Sequence, residues 1–383
     1  MNGKKKIVGL SLFANVGIAE SLLSEIGIEI KVANEINKKR ADFYSEIYKD
    51  TMMICGDITE DKIRSEIVKE SIKSKVNFII ATPPCQGMSE AGKRDVFDVR
   101  NQLISYTIDV IKKIKPDFIL IENVRTLLNT KIIINDEIIL IPDYVKKELG
   151  KYYNFNKQTL VKAKDHGVPQ TRERNIFLLV KKGVDINWEF PEKQNEITLK
   201  DAIGNLPSLD PLLREGEDYT LKMFPNYNLK KNKALKISKW HRPPVHSWKQ
   251  VEWMMHTASG NTAIHNKISY PQKEDGIRVN THHNNYRRFD WNKPSRTITQ
   301  NNGVISSLCC VHPGRPFKTK EGNILYSDPR VLTIYELLIV TSLPLDWPIP
   351  EWADEIFIRK VIGEGIPPLL IKNIMIELIK QLK

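Results

Sequence analysis

The run Thr82-Pro83-Pro84-Cys85-Gln86-Gly87-Met88-Ser89 follows an apolar stretch, Val76 to Ala81, that reads as a strand. A cysteine here lies just past the carboxyl end of a strand, where open α/β sheets bind their ligands. The two prolines fix the backbone before it and cannot extend a helix or a sheet. A thiol mounted in this way suits nucleophilic, covalent chemistry. Taken alone, Cys85 reads better as a small buried hydrophobe, as most free cysteines are. Its company changes that reading. Phe118 to Ile121 reads as another strand, and it ends in Glu122-Asn123-Val124 at the same sheet edge. Further on, Gln170-Thr171-Arg172-Glu173-Arg174 precedes a strand at Ile176 to Val180. Arg172 and Arg174 are two apart, so on an extended segment they face the same way, and by themselves they read as a solvated strand edge. A nucleophile, an acid and two fixed cations suit addition to an electron-poor ring.

Those groups need a sheet to hold them and a pocket for a co-substrate. Ile7 to Leu12 reads as a buried first strand, Phe13-Ala14-Asn15-Val16-Gly17 as a turn, and Ile18 to Ile26 as an amphipathic helix. A second strand, Ile28 to Ala33, runs into Asn34-Glu35, and a third, Met52 to Gly56, ends at Asp57. An acid about 20 residues after the first turn of such a βαβ unit binds ribose hydroxyls. Asp57 is placed to accept from an adenine amino group, although Glu35 and Asp57 taken singly each read as a solvated strand-end acid. Gly-x-Gly-x-x-Gly is absent, which disfavours a pyrophosphate cofactor and favours an adenosine without one, such as S-adenosylmethionine (SAM). Leu103 to Ile114 reads as a helix stopped by Lys115-Pro116-Asp117.

The chain has 383 residues, enough for two domains or one large domain with an insertion. With 41% hydrophobic and 27% charged residues it is composed as a globular protein. Its net charge of +12 fits a polyanionic partner, although a lysine-rich genome would give the same balance. Four cysteines, at 55, 85, 309 and 310, form neither a disulfide framework nor a paired metal signature, which suits a reducing cytoplasm. Ile7 to Val16 is too short and polar for a membrane span.

From about Gly183 to Asn292 the strand–helix alternation fades. Lys222 to Trp253 mixes basic and aromatic residues, and Thr281-His282-His283-Asn284-Asn285-Tyr286-Arg287-Arg288 follows. Such residues suit phosphate contacts and base-edge readout, or a solvated surface over a small core. The histidines lack ligand spacing for a metal. Thr333-Ile334-Tyr335-Glu336 is a capping-box signature, and Leu370, Ile371, Ile374 and Leu378 give a last helix, Leu369 to Leu382, one apolar face.

Together these segments resemble the cytosine-5 DNA methyltransferases over nearly the whole chain. The matching motifs are Leu12-Phe13-Ala14-Asn15-Val16-Gly17, Pro83-Pro84-Cys85-Gln86-Gly87-Met88-Ser89, Asp98-Val99-Arg100-Asn101-Gln102-Leu103 and Glu122-Asn123-Val124. They continue with Gln170 to Arg174, Pro294-Ser295-Arg296-Thr297-Ile298-Thr299, Arg330-Val331-Leu332-Thr333 and Ile362-Gly363-Glu364-Gly365-Ile366-Pro367-Pro368. Each is weak alone; their joint order is specific.

The resemblance implies an α/β, Rossmann-like SAM-dependent domain over residues 1–182, a smaller, mostly irregular or β target-recognition domain over 183–325, and a return to the first domain over 326–383. It implies a methyl group transferred to carbon 5 of a cytosine flipped out of double-stranded DNA. The Cys85 thiolate adds to carbon 6, Glu122 holds the ring nitrogen and amino group, and Arg172 and Arg174 anchor the base. Carbon 5 takes the methyl group from the sulfonium, and loss of its proton ejects the enzyme. Phe13, Asn15, Gly17, Glu35, Ile36, Asp57, Ile58, Pro83 and Leu103 are the expected cofactor contacts. Gln86, Ser89, Lys93, Arg94, Arg100, Arg287, Arg288 and Arg296 are the expected DNA contacts, with the loop Glu90 to Arg100 closing over the base. A restriction endonuclease partner, a monomeric state and a cytoplasmic location complete the expectation.

The chain departs from the family pattern at Ser11, usually Asp, at Asn15 and Ile18, usually Gly, at Ile36, often aromatic, and at Glu364, usually Asn. Asn tolerates a positive φ better than other non-glycine residues. Two alternatives stay open: a transfer-RNA methyltransferase of the same fold, whose Cys-Phe-Thr motif is absent here, and a catalytically silent DNA-binding module.

Overall fold

The computed structural model describes residues 6–84 and 99–382. Its first part alternates strands β1 (Ile7–Leu12), β2 (Ile28–Glu35), β3 (Met52–Cys55), β4 (Phe78–Ala81) and β5 (Phe118–Asn123) with helices α1 (Lys38–Ile47), α2 (Asp61–Lys73) and α3 (Leu103–Ile114). A hairpin, β6 (Lys131–Ile134) and β7 (Glu137–Leu140), helix α4 (Ile141–Leu149), and strands β8 (Tyr153–Phe155), β9 (Leu160–Lys162) and β10 (Glu173–Lys181) follow. The eight-stranded sheet runs β3-β2-β1-β4-β5-β10-β8, with β9 beside β10. β1 to β5 are parallel; β10 returns antiparallel to β5.

Strand alternation loads both faces of this sheet. Ile119, Ile121, Phe177 and Leu179 enter the core cluster shared with α2, α3 and α4. Phe118, Leu120, Ile176, Leu178 and Val180 enter the opposite cluster, closed by α11 (Pro368–Ile379) through Leu370, Ile371, Ile374, Met375 and Leu378. The last helix therefore packs back on the first domain. Trp188 ties it down, donating to the buried Ile374 carbonyl at 3.0 Å.

The order reverses between β1 and β4: β2 and β3 lie on one side of β1, β4 and β5 on the other. This is the switch point at which an open parallel sheet leaves a crevice at its carboxyl edge. The turn after β1 and the Thr82-Pro83-Pro84 segment after β4 flank it.

Ile18 to Ile26 does not form the expected helix. The segment winds in tight turns, with Ser21 N to Ile18 O, Leu23 N to Glu20 O and Ile26 N to Leu23 O bonds, and only Ser24–Ile26 is regular, as a 3₁₀ turn. Tertiary anchors override the periodicity. Ile18 packs into the cluster shared with the C-terminal helices, whereas Leu23 packs under α11. Between them the buried Glu20 carboxylate accepts from Ser11 Oγ and Tyr44 Oη, both at 2.9 Å. The Ser11 departure thus belongs to a hydrogen-bonded trio beneath the β1 turn.

From residue 183 onward the chain forms short elements: α5 (Leu199–Ile203), α6 (Glu217–Met223), α7 (Tyr227–Leu235), α8 (Trp248–Met255) and the ribbons β11 (Leu212–Leu213)/β12 (Val245–His246) and β13 (Pro316–Lys318)/β14 (Ile324–Tyr326). The smaller region is mostly irregular, with short helices besides ribbons. Helices α9 (Ile334–Val340) and α10 (Glu355–Glu364) then pack with α5. The Thr333–Glu336 capping box forms as its sequence indicates. Arg330, fully buried, bonds Glu336 at 2.7 Å and Asp328 at 3.3 Å, and Asp328 accepts from Leu209 N at 2.7 Å. This ionic cluster staples α9 to the smaller region.

Burial raises the Glu20 carboxyl from 4.5 to about 7, against the lowering effect of Tyr44 and Ser11. The folded state therefore holds a proton that the unfolded chain releases above about 4.5. The resulting stability is full below that pH and is lost as pH rises towards 7. Thermal unfolding should show this decline in the native protein and lose it in Glu20→Gln. An identical slope in both would refute the assignment.

Candidate active site

Glu122 is the penultimate residue of β5, and Ile176 of β10 lies opposite it. Arg174 precedes Ile176 by two and so shares the Glu122 face as its diagonal neighbour. The Arg174 Nε donates to Glu122 Oε1 at 2.8 Å, with side chains only 11% and 9% exposed. Burial pushes the Glu122 carboxyl up, while the Arg174 and Arg172 guanidiniums pull it down; burial wins and the net shift is upward. A carboxyl in this state is readier than an ordinary glutamate to carry a proton to a ring nitrogen.

Arg172 is buried, donating to the carbonyls of Ile298 at 3.0 Å, Gly363 at 3.1 Å and Glu364 at 2.9 Å. It clamps the Pro294–Thr299 segment and the end of α10 to the sheet edge. Thr171 N to Ser295 O at 2.8 Å and Ser295 N to Pro169 O at 2.9 Å reinforce the same docking. Cys85, Gln86, Ser89, Lys93 and Arg94 lie outside the described residues. The backbone of Arg100 lies in a 3₁₀ turn, Val99–Gln102, leading into α3. The mount of Cys85 is described: Asn123 Nδ2 donates to the buried Pro83 carbonyl at 3.0 Å, so the Glu122 strand holds the proline that precedes the cysteine.

On the other side of the crevice, Phe13, Asn15 and Gly17 all have positive φ, at 58°, 51° and 78°. Gly17 is obligatory, because a Cβ there would stand 2.2 Å from the Tyr48 ring. Glu35, at the end of β2, accepts from Asn15 N and Asn37 N, both at 2.9 Å, which holds the turn against the start of α1. Ile36 is 62% exposed beside it, an apolar cover for a flat ring. Asp57 accepts from Thr59 N at 2.8 Å; Ile58 is in the core and offers a ligand only its backbone. Pro83 is buried and Leu103 half-buried at the start of α3. Asn15 Oδ1 is buried without a partner among the described residues. Strand-end acids, an exposed apolar side chain and an unpaired acceptor fit an adenosine bearing a cationic tail.

Among the expected DNA contacts, Arg296 is exposed and Arg287 half-exposed. Arg288 is corrected. Its guanidinium is fully buried and donates to the carbonyls of Met254 at 2.9 Å, His312 at 2.6 Å and Asp328 at 3.1 Å. Adjacent residues on extended chain point to opposite sides, so one arginine of the pair builds the small core. The other departures are also accommodated: Ile18 is buried, and Asn15 Nδ2 donates to Glu364 Oε2 at 3.0 Å.

The fold and site define an α/β methyltransferase of the SAM-dependent kind. The family model described as C-5 cytosine-specific DNA methylase matches residues 7–380, and the chain belongs to that family. It is 44% identical over 383 residues to the Type II methyltransferase M1.HgaI of Avibacterium volantium, covering 99% of each chain. It is 32% identical over 253 residues to the Type II methyltransferase M.FnuDI of Fusobacterium nucleatum, covering 61% of this chain and 68% of the other. A solved structure of a candidate DNA modification methyltransferase encoded within a prophage (E. coli) shares the fold, with a TM-score of 0.66 at 22% identity, covering 98% and 99%. The protein is a DNA (cytosine-5-)-methyltransferase of the restriction-modification type, and it uses SAM to methylate carbon 5 of cytosine in duplex DNA through a covalent cysteine adduct. Among the described residues no helix is long and apolar enough to cross a membrane.

Arg174→Gln should lower turnover and, by removing a charge that holds the Glu122 carboxyl down, move the limb of the pH–rate profile set by that carboxyl to higher pH. The kcat/KM profile checks this; a limb that stays in place would contradict the pairing.

Proposed function

We propose that Cys85 is the nucleophile, Glu122 the group that protonates and holds the ring, and Arg174 the residue that orients Glu122. The observation that carries this is the buried Glu122–Arg174 pair on the strand whose Asn123 holds Pro83, two residues before Cys85. When bound, the cofactor supplies an electrophilic methyl group. The chain's own residues do the rest. The thiolate forms a bond to carbon 6 of the cytosine while Glu122 gives a proton to the ring nitrogen, and carbon 5 becomes nucleophilic. After methylation, a solvent water takes the carbon-5 proton, the 5,6 double bond re-forms as the thiolate leaves, and the ring nitrogen returns its proton to Glu122, restoring the enzyme.

The cofactor cradle in this reading is the turn Phe13 to Gly17 with Glu35, Ile36, Asp57, the Ile58 backbone, Pro83 and Leu103. Segment 183–325 reads the DNA, with Arg287 and Arg296 presented to it and Gln86, Ser89, Lys93, Arg94 and Arg100 contacting the strand around the flipped base. The exposure of Arg296 and the half-exposure of Arg287 support their part. The enzyme acts as a monomer in the cytoplasm, protecting host DNA from a partner endonuclease, as the Type II names of its relatives suggest.

Incubation with tritiated SAM and mixed-sequence duplex DNA, followed by digestion to nucleosides, should place the label in 5-methylcytosine. Cys85→Ser should abolish labelling and leave DNA binding in place. Retained turnover in that variant would remove Cys85 from the nucleophile's role.

A further inference from the structure

The side chain of Asn15 sits on the cofactor turn with one half of its amide engaged. Its Nδ2 donates to Glu364 Oε2 at 3.0 Å, and the same carboxylate oxygen accepts from Arg40 Nη2 at 2.6 Å. An ionised carboxylate only accepts hydrogen bonds, so the NH2 of Asn15 must face Glu364 and its carbonyl oxygen must face away. That oxygen, Oδ1, is buried and has no partner among the described residues. A buried acceptor left unpaired is costly, so the arrangement is complete only when a donor meets it.

Every neighbour of this amide is fixed. The Asn15 backbone N–H is bound by Glu35 at 2.9 Å. Arg40 stands on α1, whose N-cap Asn37 accepts from the Arg40 N–H. Glu364 is held through its own carbonyl by Arg172 at 2.9 Å. The preceding Gly363 packs so tightly that a Cβ would lie 2.2 Å from the Thr299 carbonyl oxygen. Glu35, the last residue of β2, and Asp57, two residues past β3, are the acids expected to hold the adenosine. Asn15 and Glu364 lie on the side that Arg172 joins to the Glu122 edge, where the amino-acid end of the cofactor must lie for its methyl group to face the base.

We propose that Asn15 Oδ1 accepts a hydrogen bond from the α-ammonium group of SAM, and that Glu364, held by Arg40, is the positioning residue that turns the Asn15 amide to do so. This rests on the reading of the Phe13–Gly17 turn as the cofactor cradle. The ammonium is a cationic donor, so the bond is of the stronger, charge-assisted kind.

The test is calorimetric binding of S-adenosylhomocysteine and of its analogue lacking the α-amino group, without DNA. Asn15 has φ 51°, so Asn15→Gly removes the side chain without straining the backbone. The native protein should bind the amino-bearing ligand about tenfold or more tighter than the deamino analogue. Asn15→Gly should lose that preference, its affinity for the deamino analogue matching the native value. Glu364→Ala should lose it too, because the freed amide can turn over. If Asn15→Gly weakens both ligands equally, or neither, the proposal is overturned. Phe13→Ala separates the two readings: weaker binding of both ligands keeps the cradle whatever becomes of Asn15, and unchanged binding removes the cradle.

Discussion

The hydrogen-bonded pair of Glu122 and Arg174 is the interaction on which the site depends. A carboxylate at the end of a buried parallel strand would be costly alone, and removing one partner of such a pair typically costs about 3–5 kcal/mol. The antiparallel return of β10 beside β5 supplies the guanidinium at 2.8 Å. The burial needed to raise the carboxyl is thus tolerated because the sheet delivers its counter-charge. The same strand entry carries Arg172, and Asn123 next to Glu122 fixes Pro83. One pair of neighbouring strands organises the acid, both cations and the mount of the cysteine.

A second constraint is chain order. Reversal of the sheet between β1 and β4 puts the turn after β1 and the Pro83-Pro84 segment on the two lips of one crevice. The C-terminal helices then close the circuit. Arg172 holds the carbonyls of Gly363 and Glu364, Glu364 holds Asn15, and Glu35 holds the Asn15 backbone. The Glu122 edge and the turn after β1 are linked through the last turn of α10, although nearly 350 residues separate Asn15 from Glu364.

Much of this was legible in the residues. β1, β4, β5, α3, the Thr333–Glu336 cap and the apolar face of α11 carry strong local periodicity or capping chemistry, and they form close to where it indicates. The spacing of Arg172 and Arg174 alone reads as well as a solvated strand edge, and it did not disclose that one clamps three backbone carbonyls while the other pairs with Glu122. Ile18 to Ile26 was not, because Ile18 and Leu23 serve different cores and Glu20 is pinned between them, so tertiary contact decides the winding. Arg288 could not be distinguished from Arg287 without knowing which side of this irregular segment is buried. Asn15 and Glu364 looked like separate departures, and only their 3.0 Å contact shows them to be one unit. No local signal marks Arg40 as the third member.

The measurement that bears most directly on the central claim is trapping with duplex DNA that carries 5-fluorocytosine at the methylated position, in the presence of SAM. Fluorine replaces the proton whose loss releases the enzyme. The account predicts a stable protein–DNA adduct whose peptide map places the bond on Cys85, and no adduct with Cys85→Ser. Failure to trap on DNA whose unmodified form is methylated, or an adduct on another residue, would contradict it.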